Sequence, residues 1–411
     1  MPRSDGPGIA VLGAGPIGLE AALYARKLGL NVMVYERGRP GEFLQRWGHV
    51  RLFSPFGMNV TPLGRAAILA ENPEHSFPAD NACITGREHV AAYLEPLSRT
   101  KLLRDAIRRE TQVLGVTRHG FLKGDNDPRR GQQPFRLLIR EAKARERVVD
   151  ADTVIDCTGT YGQHRWMGEG GVPAIGESGS EGLISYAVDD VLGDRRGQYT
   201  GKSVMVIGGG YSAATTVCNL ASLAEQHPET WVTWLARASS TQPIRRITND
   251  PLRERDRLAV RANTLATRGD GNVEFHPQTI VESIETAGQD KGFKVVTRGG
   301  KARTWEVDRI IANVGYTPDR QLYRELQIQE CHITLAPLGV AAALAKPLGV
   351  DGLGVPALGA QSLRTPEPGF FILGAKSYGR NSNFLLRNGF EQVRDVFTLI
   401  KPGLDLYKAA R

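Results

Sequence analysis

Cysteine is scarce in this chain. Four of 411 residues, Cys83, Cys157, Cys218 and Cys331, stand far apart, with no CxxC pair and no metal-ligand spacing. That pattern excludes a disulfide scaffold, a zinc site or other metal site, and a paired-thiol redox centre. Long apolar runs are missing too: the longest weakly polar stretch, 333–345, is too short to span a bilayer and contains Pro337. Residues 1–8 are polar and lack the apolar segment of a secretory leader, so the expected location is cytoplasmic, with no membrane partner. Charge of one sign is modest, a net +8 spread along the chain, which speaks against a nucleic-acid partner. Low-complexity linkers are absent. What remains is a folded chain, 41% apolar and 23% charged, long enough for two or three domains.

Glycine is plentiful, at 47 residues, and it clusters twice in the same setting. Ile9, Ala10, Val11 and Leu12 read as a strand, Gly13-Ala14-Gly15-Pro16-Ile17-Gly18 as a turn opening an Ala- and Leu-rich helix, and Val32 to Tyr35 as a second strand. In such a turn the first glycine permits the bend, the second lets backbone approach a pyrophosphate, and the third lets helix and strand pack closely. The helix N-terminus then offers N–H groups and a positive dipole to phosphate. Glu36 ends the second strand, where a carboxylate accepts from ribose hydroxyls. The second copy runs from Val204 to Ile207, then Gly208-Gly209-Gly210-Tyr211-Ser212-Ala213, a helix to about Leu223, and a strand from Trp231 to Leu235. Ala213 replaces the third glycine, and Arg237 stands where a site for NAD would carry an acid. An arginine clamps a 2′-phosphate, so this site is assigned to NADP(H), with Arg245 and Arg246 as further charge.

Three strand-like runs, 112–118, 135–141 and 147–156, predict a smaller sheet between the copies, and 124–133, rich in Gly, Pro, Asp and Arg, predicts a surface loop. After the second copy, 273–275, 293–297 and 309–314 mirror that smaller sheet. Phe370 to Leu373, a glycine-containing loop and an amphipathic helix close the chain.

Four features in order resemble the flavoprotein superfamily with two dinucleotide-binding domains, which includes the thioredoxin reductases and the class B flavin-containing monooxygenases. They are Gly13 to Gly18 with Glu36, the strand end Val154-Ile155-Asp156-Cys157-Thr158-Gly159, Gly208 to Ala213 with Arg237, and Ile310 to Pro318 around Gly315-Tyr316. The resemblance implies an α/β fold of two Rossmann-like, three-layer ββα domains. The FAD domain would be discontinuous (1–160 and 319–411) and interrupted by an NADP(H) domain (161–318). It implies that the chain crosses between domains at Thr158-Gly159 and Gly315-Tyr316. The loop from Gly374 would carry flavin ribityl and pyrophosphate, and a helix beginning near Asn383 would aim its N-terminus at the flavin pyrimidine. Pro16, Arg37, Trp47, Val113 and Phe384 complete the expected cofactor contacts. More loosely, 382–386 is similar to the C-terminal stretch of the N-hydroxylating monooxygenases of amino-acid side chains.

The expected enzyme is an FAD- and NADPH-dependent oxidoreductase in which nicotinamide reduces flavin and reduced flavin meets a second, small-molecule substrate. With no paired thiols, class B-like monooxygenation leads, with O2 and a second copy of the chain as further partners. A thiol-independent NADPH reductase or dehydrogenase is the alternative, and a non-catalytic redox sensor the third reading. One departure stands against typical oxygenation: the class B fingerprint FxGxxxHxxx(Y/F) belongs just before the second glycine unit, where 182–193 has no histidine. Trp47, Arg51 and Tyr378 are the candidate catalytic residues. Trp47 and Phe56 are read as walls of the flavin, His49, Arg51 and Ser54 as polar groups for substrate or flavin N5, and Lys376, Tyr378 and Arg380 as a substrate-side wall for an anion. Cys157 and Cys218 are read as packing residues, with Cys218 facing out of its helix, and Cys331 beside His332 as a thiol-and-base pair pointing apart.

Overall fold

The computed structural model describes residues 8–269, 271–286, 288, 291–345 and 358–409; the polar start at 1–7 lies outside them. Strands β1 (Ile9–Leu12), β2 (Val32–Tyr35), β3 (Ile107–Arg108), β4 (Gln112–Arg118), β5 (Phe135–Arg140), β6 (Glu146–Ala151) and β7 (Thr153–Asp156) come first. Then follow β8 (Ser203–Ile207), β9 (Trp231–Leu235), β10 (Val273–His276), β11 (Thr279–Thr286), β12 (Phe293–Gly299), β13 (Arg303–Val307) and β14 (Arg309–Ala312), with β15 (Phe370–Ile372) last. The helices that matter most are α1 (Pro16–Lys27), α2 (Tyr211–Gln226), α3 (Arg253–Thr267) and α4 (Leu386–Ile400). The fold is α/β, built on parallel sheets of Rossmann type. No helix among the described residues is long and apolar enough to cross a membrane.

The chain divides into two compact units, Met1–Gly162 with Thr317–Arg411, and Gln163–Tyr316. The first holds a parallel sheet in the order β15-β7-β1-β2-β3 and an antiparallel sheet β4-β5-β6. β1 is buried along its whole length, as a parallel strand covered on both faces must be. α1 covers one face, and its Tyr24 stacks on Phe397 of α4 with ring centroids 4.9 Å apart. The second unit repeats the plan, with a parallel sheet β10-β9-β8-β14 and an antiparallel sheet β11-β12-β13.

Several boundaries differ from the sequence reading. The run 147–156 is two strands: Ala151 is buried with the antiparallel sheet, and the chain turns at exposed Asp152 so that Val154 and Ile155 enter the parallel sheet. The runs at 273 and 309 pair with β9 and β8 in the parallel sheet, and the antiparallel sheet takes β11 and β13 instead. β11 was missed because its sequence, TIVESIET, carries only three apolar residues. Loop 124–133 is pinned: Arg130 and Arg118 are buried, and both guanidiniums bind the buried carboxylate of Glu367. The last long helix begins at Leu386, three residues after Asn383.

Candidate cofactor site

In the first unit, β1 feeds a bend at Gly13, whose φ of +93° lies in the left-handed region that favours glycine. A Cβ there would stand 2.9 Å from the Cys157 carbonyl oxygen, and one on Gly18 would stand 1.9 Å from the Gly13 oxygen. Those two glycines let α1 press against β1 and the end of β7. Gly15 differs: a Cβ would meet nothing within 4 Å, so the space above it is open. It caps α1 without a side-chain bond, buried Pro16 follows at the first helical position, and no acid lies in the first turn. The cradle therefore has the shape and polarity that a pyrophosphate needs. The Glu36 carboxylate accepts from the Ala14 N–H at 2.7 Å and the Gly38 N–H at 2.8 Å, which ties the end of β2 to the cradle. A carboxylate has about four acceptor positions, so two remain for hydroxyl donors. Exposed Arg37 lies over the Phe43 ring at 5.8 Å. Val113 is a half-buried residue of β4 packed beside the parallel sheet.

On the far side of the cradle, Thr158 donates to the Asp156 carboxylate at 2.7 Å, and Gly159 has φ +70° with open space where its Cβ would be. Trp47 is half-buried beside Tyr161, ring centroids 6.0 Å apart, and its buried indole N–H has no partner among the described residues. An orphan donor in an aromatic wall fits a planar ring with carbonyl acceptors.

Gly374 (φ +72°) donates its N–H to Gln392 at 2.8 Å and would bring a Cβ within 3.3 Å of Ile17. The loop after it turns inward. Lys376 is fully buried, donating to Asp156 at 2.6 Å and Thr158 at 2.9 Å, so its charge is matched internally and does not meet an external anion. Tyr378 is also wholly buried and its hydroxyl accepts from Asn388 at 3.0 Å, so this candidate catalytic residue presents no surface to substrate. Phe384 lies edge-on to Tyr378, and Asn383 is exposed ahead of the helix. Phe56 sits in the hydrophobic core and Ser54 is buried, donating to Asn59 at 2.7 Å; neither walls a cofactor. Arg51 is exposed, its guanidinium bonded to the Cys83 carbonyl, and His49 is half-buried near it in sequence.

In the second unit Gly208 takes φ +146°, and a Cβ would stand 2.3 Å from the Asn313 carbonyl oxygen. Gly210 caps α2 with nothing within 4 Å of its Cβ position, a second open cradle. Tyr211 and Ser212 open the helix and Ala213 is buried beneath it. Arg237 is exposed just past β9, with no hydrogen bond or ion pair among the described residues. Arg246 is held by Asp256 at 2.8 Å, which removes it from the set of free charges; Arg245 is exposed. Gly315 takes φ +88°, and Tyr316 donates to the Tyr186 carbonyl at 2.9 Å.

The cysteines are all free. Cys218 faces inward, contrary to the sequence reading, and burial pushes its thiol up to about 11. Burial likewise raises Cys157 well above the ordinary range. Cys331 is drawn below it by bonds from Thr334.

Two family models, both described as pyridine nucleotide-disulphide oxidoreductase, match residues 10–123 and 130–333, together well over half of the chain. The chain belongs to the FAD/NAD(P)-binding flavoprotein superfamily. This flavoprotein is an oxidoreductase, and its cofactors are FAD and NADP(H). It is 26% identical over 217 residues to mouse (Mus musculus) FAD-dependent oxidoreductase domain-containing protein 2, a match covering 51% of the chain but only 30% of that relative. Its fold is similar to that of the bacillithiol disulfide reductase of Bacillus cereus, with TM-score 0.68, 18% identity, and 96% and 98% of the two chains covered. It is also similar to the ornithine N-hydroxylase of Kutzneria sp. 744, with TM-score 0.60, 15% identity, and 96% and 99% covered. That structure carries reduced FAD, NADP+ and L-ornithine.

Proposed function

We propose that the flavoprotein is an NADPH-consuming monooxygenase of a small molecule. Unit 1 is its FAD domain, with Gly13, Gly15, Gly18, Glu36, Thr158, Gly159 and Gly374 around the cofactor. Unit 2 is its NADP(H) domain, with Gly208, Gly210 and Arg237 holding the nucleotide. When bound, FAD supplies two-electron chemistry between nicotinamide and a second substrate. The chain's own residues hold the phosphates on two helix N-termini, accept ribose hydroxyls at Glu36, and offer the Trp47 N–H and the Tyr161 ring to a planar group.

One observation carries the choice of acceptor. All four cysteines are free and, at 83, 157, 218 and 331, none stands in a CxxC pair, so a dithiol relay from the flavin lacks its second thiol. Electrons then leave for a substrate that reaches the flavin directly, and oxygen is the acceptor this reading assigns. NADPH-dependent reduction of a small disulfide is a second reading. Cys331 favours it, since its thiol is drawn below the ordinary range, and the Bacillus cereus neighbour is named for that activity.

The test is to reduce the FAD-loaded protein with NADPH under argon and mix it with oxygen in a stopped-flow spectrometer. Monooxygenation gives a transient absorbance unlike oxidised or reduced flavin and, under 18O2, one heavy oxygen in product. Direct return to the oxidised spectrum, with anaerobic turnover of a small disulfide, selects the second reading. Arg237→Ala is expected to raise the NADPH KM roughly 10- to 100-fold with kcat little changed, because a charged hydrogen-bonded pair contributes about 1.5–3 kcal/mol. An unchanged preference for NADPH over NADH overturns the Arg237 assignment.

A further inference from the structure

The parallel sheet of unit 2 runs β10-β9-β8-β14, and Ser185 adds a parallel bridge to Ile311 beyond β14. Read across the carboxyl ends of these segments, Arg237 follows β9, Gly208 follows β8, Asn313 follows β14 and Tyr186 follows Ser185. Ligands of such sheets lie across these carboxyl ends. A dinucleotide with its pyrophosphate at Gly208–Gly210 and its 2′-phosphate at Arg237 therefore runs its nicotinamide half the other way, over Asn313 and Tyr186.

An aromatic platform stands there. The His164 and Tyr186 rings are stacked with centroids 3.5 Å apart and planes 12° from parallel, and Trp166 meets both edge-on at 4.9 and 6.3 Å. The stack is held from every side. His164 Nδ1 lies 3.0 Å from the Arg165 carbonyl oxygen and Nε2 lies 2.8 Å from the Glu181 carboxylate. The Tyr186 hydroxyl donates at 2.9 Å to Glu177, a fully buried carboxylate that also accepts the Met167 and Ala174 N–H groups. Asn313 donates to the Ala187 carbonyl at 2.8 Å and accepts from Thr216 at 2.7 Å, and its own carbonyl backs Gly208. Platform and cradle are thus joined through one residue, while the rings stay only half-buried.

We propose that the His164–Tyr186 stack, edged by Trp166, binds the nicotinamide riboside half of NADP(H). This rests on the reading of unit 2 as the NADP(H) domain. His164 belongs to an earlier segment and is brought onto Tyr186 by the antiparallel bridge between His164 and Tyr316 and by the Arg165 N–H to Gly315 bond at 2.9 Å.

Two ligands separate the halves of the nucleotide. Calorimetric titration of the FAD-loaded full chain with NADP+ and with 2′,5′-ADP, which lacks the nicotinamide half, is expected to show binding of both to wild type. His164→Ala and Tyr186→Leu are expected to weaken NADP+ about tenfold, within the range for stacking a base on an aromatic ring, while 2′,5′-ADP stays within about twofold. His164→Phe keeps a flat ring without the nitrogens and is expected to recover part of the loss. Retained 2′,5′-ADP affinity reports that unit 2 is folded. Equal losses for both ligands, or no loss for either, overturn the platform. Wild type that binds neither ligand overturns the NADP(H) assignment of unit 2 and the platform with it.

Discussion

The stabilising contribution of the buried Glu20 carboxyl should fall as pH rises from about 4.5 to 7. Glu20 lies in α1, two residues past Gly18, and is wholly buried. Thr61 donates to its carboxyl at 3.0 Å and Tyr407 at 2.6 Å, Tyr93 lies against Thr61, and no cation among the described residues bonds to it. Burial pushes its pKa from 4.5 to about 7. Below pH 4.5 the carboxyl is protonated in folded and unfolded chains alike, and the network contributes in full. Between 4.5 and 7 the unfolded chain releases a proton that the fold retains, so folding is progressively disfavoured; above 7 the loss levels off. A gap of about 2.5 units at about 1.36 kcal/mol each amounts to roughly 3 kcal/mol. At about 2–4 °C per kcal/mol for a domain of this size, the Glu20 contribution alone amounts to about 6–12 °C of Tm across the window. His89 acts in the opposite sense. Burial lowers its pKa from 6.5 to about 4, so its contribution is present above 6.5 and lost as pH falls toward 4. Comparing wild type with Glu20→Gln at each pH isolates the carboxyl, since His89 titrates in both. Differential scanning calorimetry from pH 4.5 to 8 is the assay, and the wild-type curve should lose the stated amount relative to the variant. Parallel curves would refute the reasoning.

Lys376→Met leaves Asp156 charged and unpaired in the interior, which should cost about 3–5 kcal/mol; the double variant Lys376→Met, Asp156→Asn should regain much of it, as read by urea unfolding. Gly18→Ala places a methyl 1.9 Å from the Gly13 oxygen and is expected to cost about 1–3 kcal/mol or more and to give poorly folded protein. Gly15→Ala meets no protein atom, so its Tm without flavin should be unchanged while FAD affinity falls at least tenfold; an unaltered flavin Kd would remove the pyrophosphate from that cradle. Trp47→Phe keeps the ring but deletes the orphan N–H, and should shift the bound-flavin absorbance without changing Tm by more than about 2 °C.

Much of the fold was legible because its signals are local. Strand, glycine turn and helix sit within about thirty residues, so β1 with α1 and β8 with α2 followed from periodicity and from where glycine interrupts it. β11 was hidden by its polar composition, and the split between β6 and β7 by an unbroken β-rich run whose two halves pair with different sheets. In the candidate site, the backbone positions Gly13, Gly15, Gly208 and Gly210 were readable, since a missing side chain is visible in sequence. The polar side chains were not. Lys376, Tyr378, Ser54 and Phe56 all looked available and all turned inward, while His164 gave no signal because its partner Tyr186 lies in another segment.

Sequence alone therefore determined that two strand–glycine turn–helix units stand in one chain, and that the second is followed by a cation where an acid would suit NAD. Those properties depend on neighbours a few bonds apart. Tertiary structure decided which groups remain free to meet a ligand: Lys376 is neutralised by Asp156 from 220 residues away, Arg246 is taken by Asp256, and Arg237 is left open. Burial and pairing are properties of what the folded chain brings alongside a residue, and no local pattern encodes them.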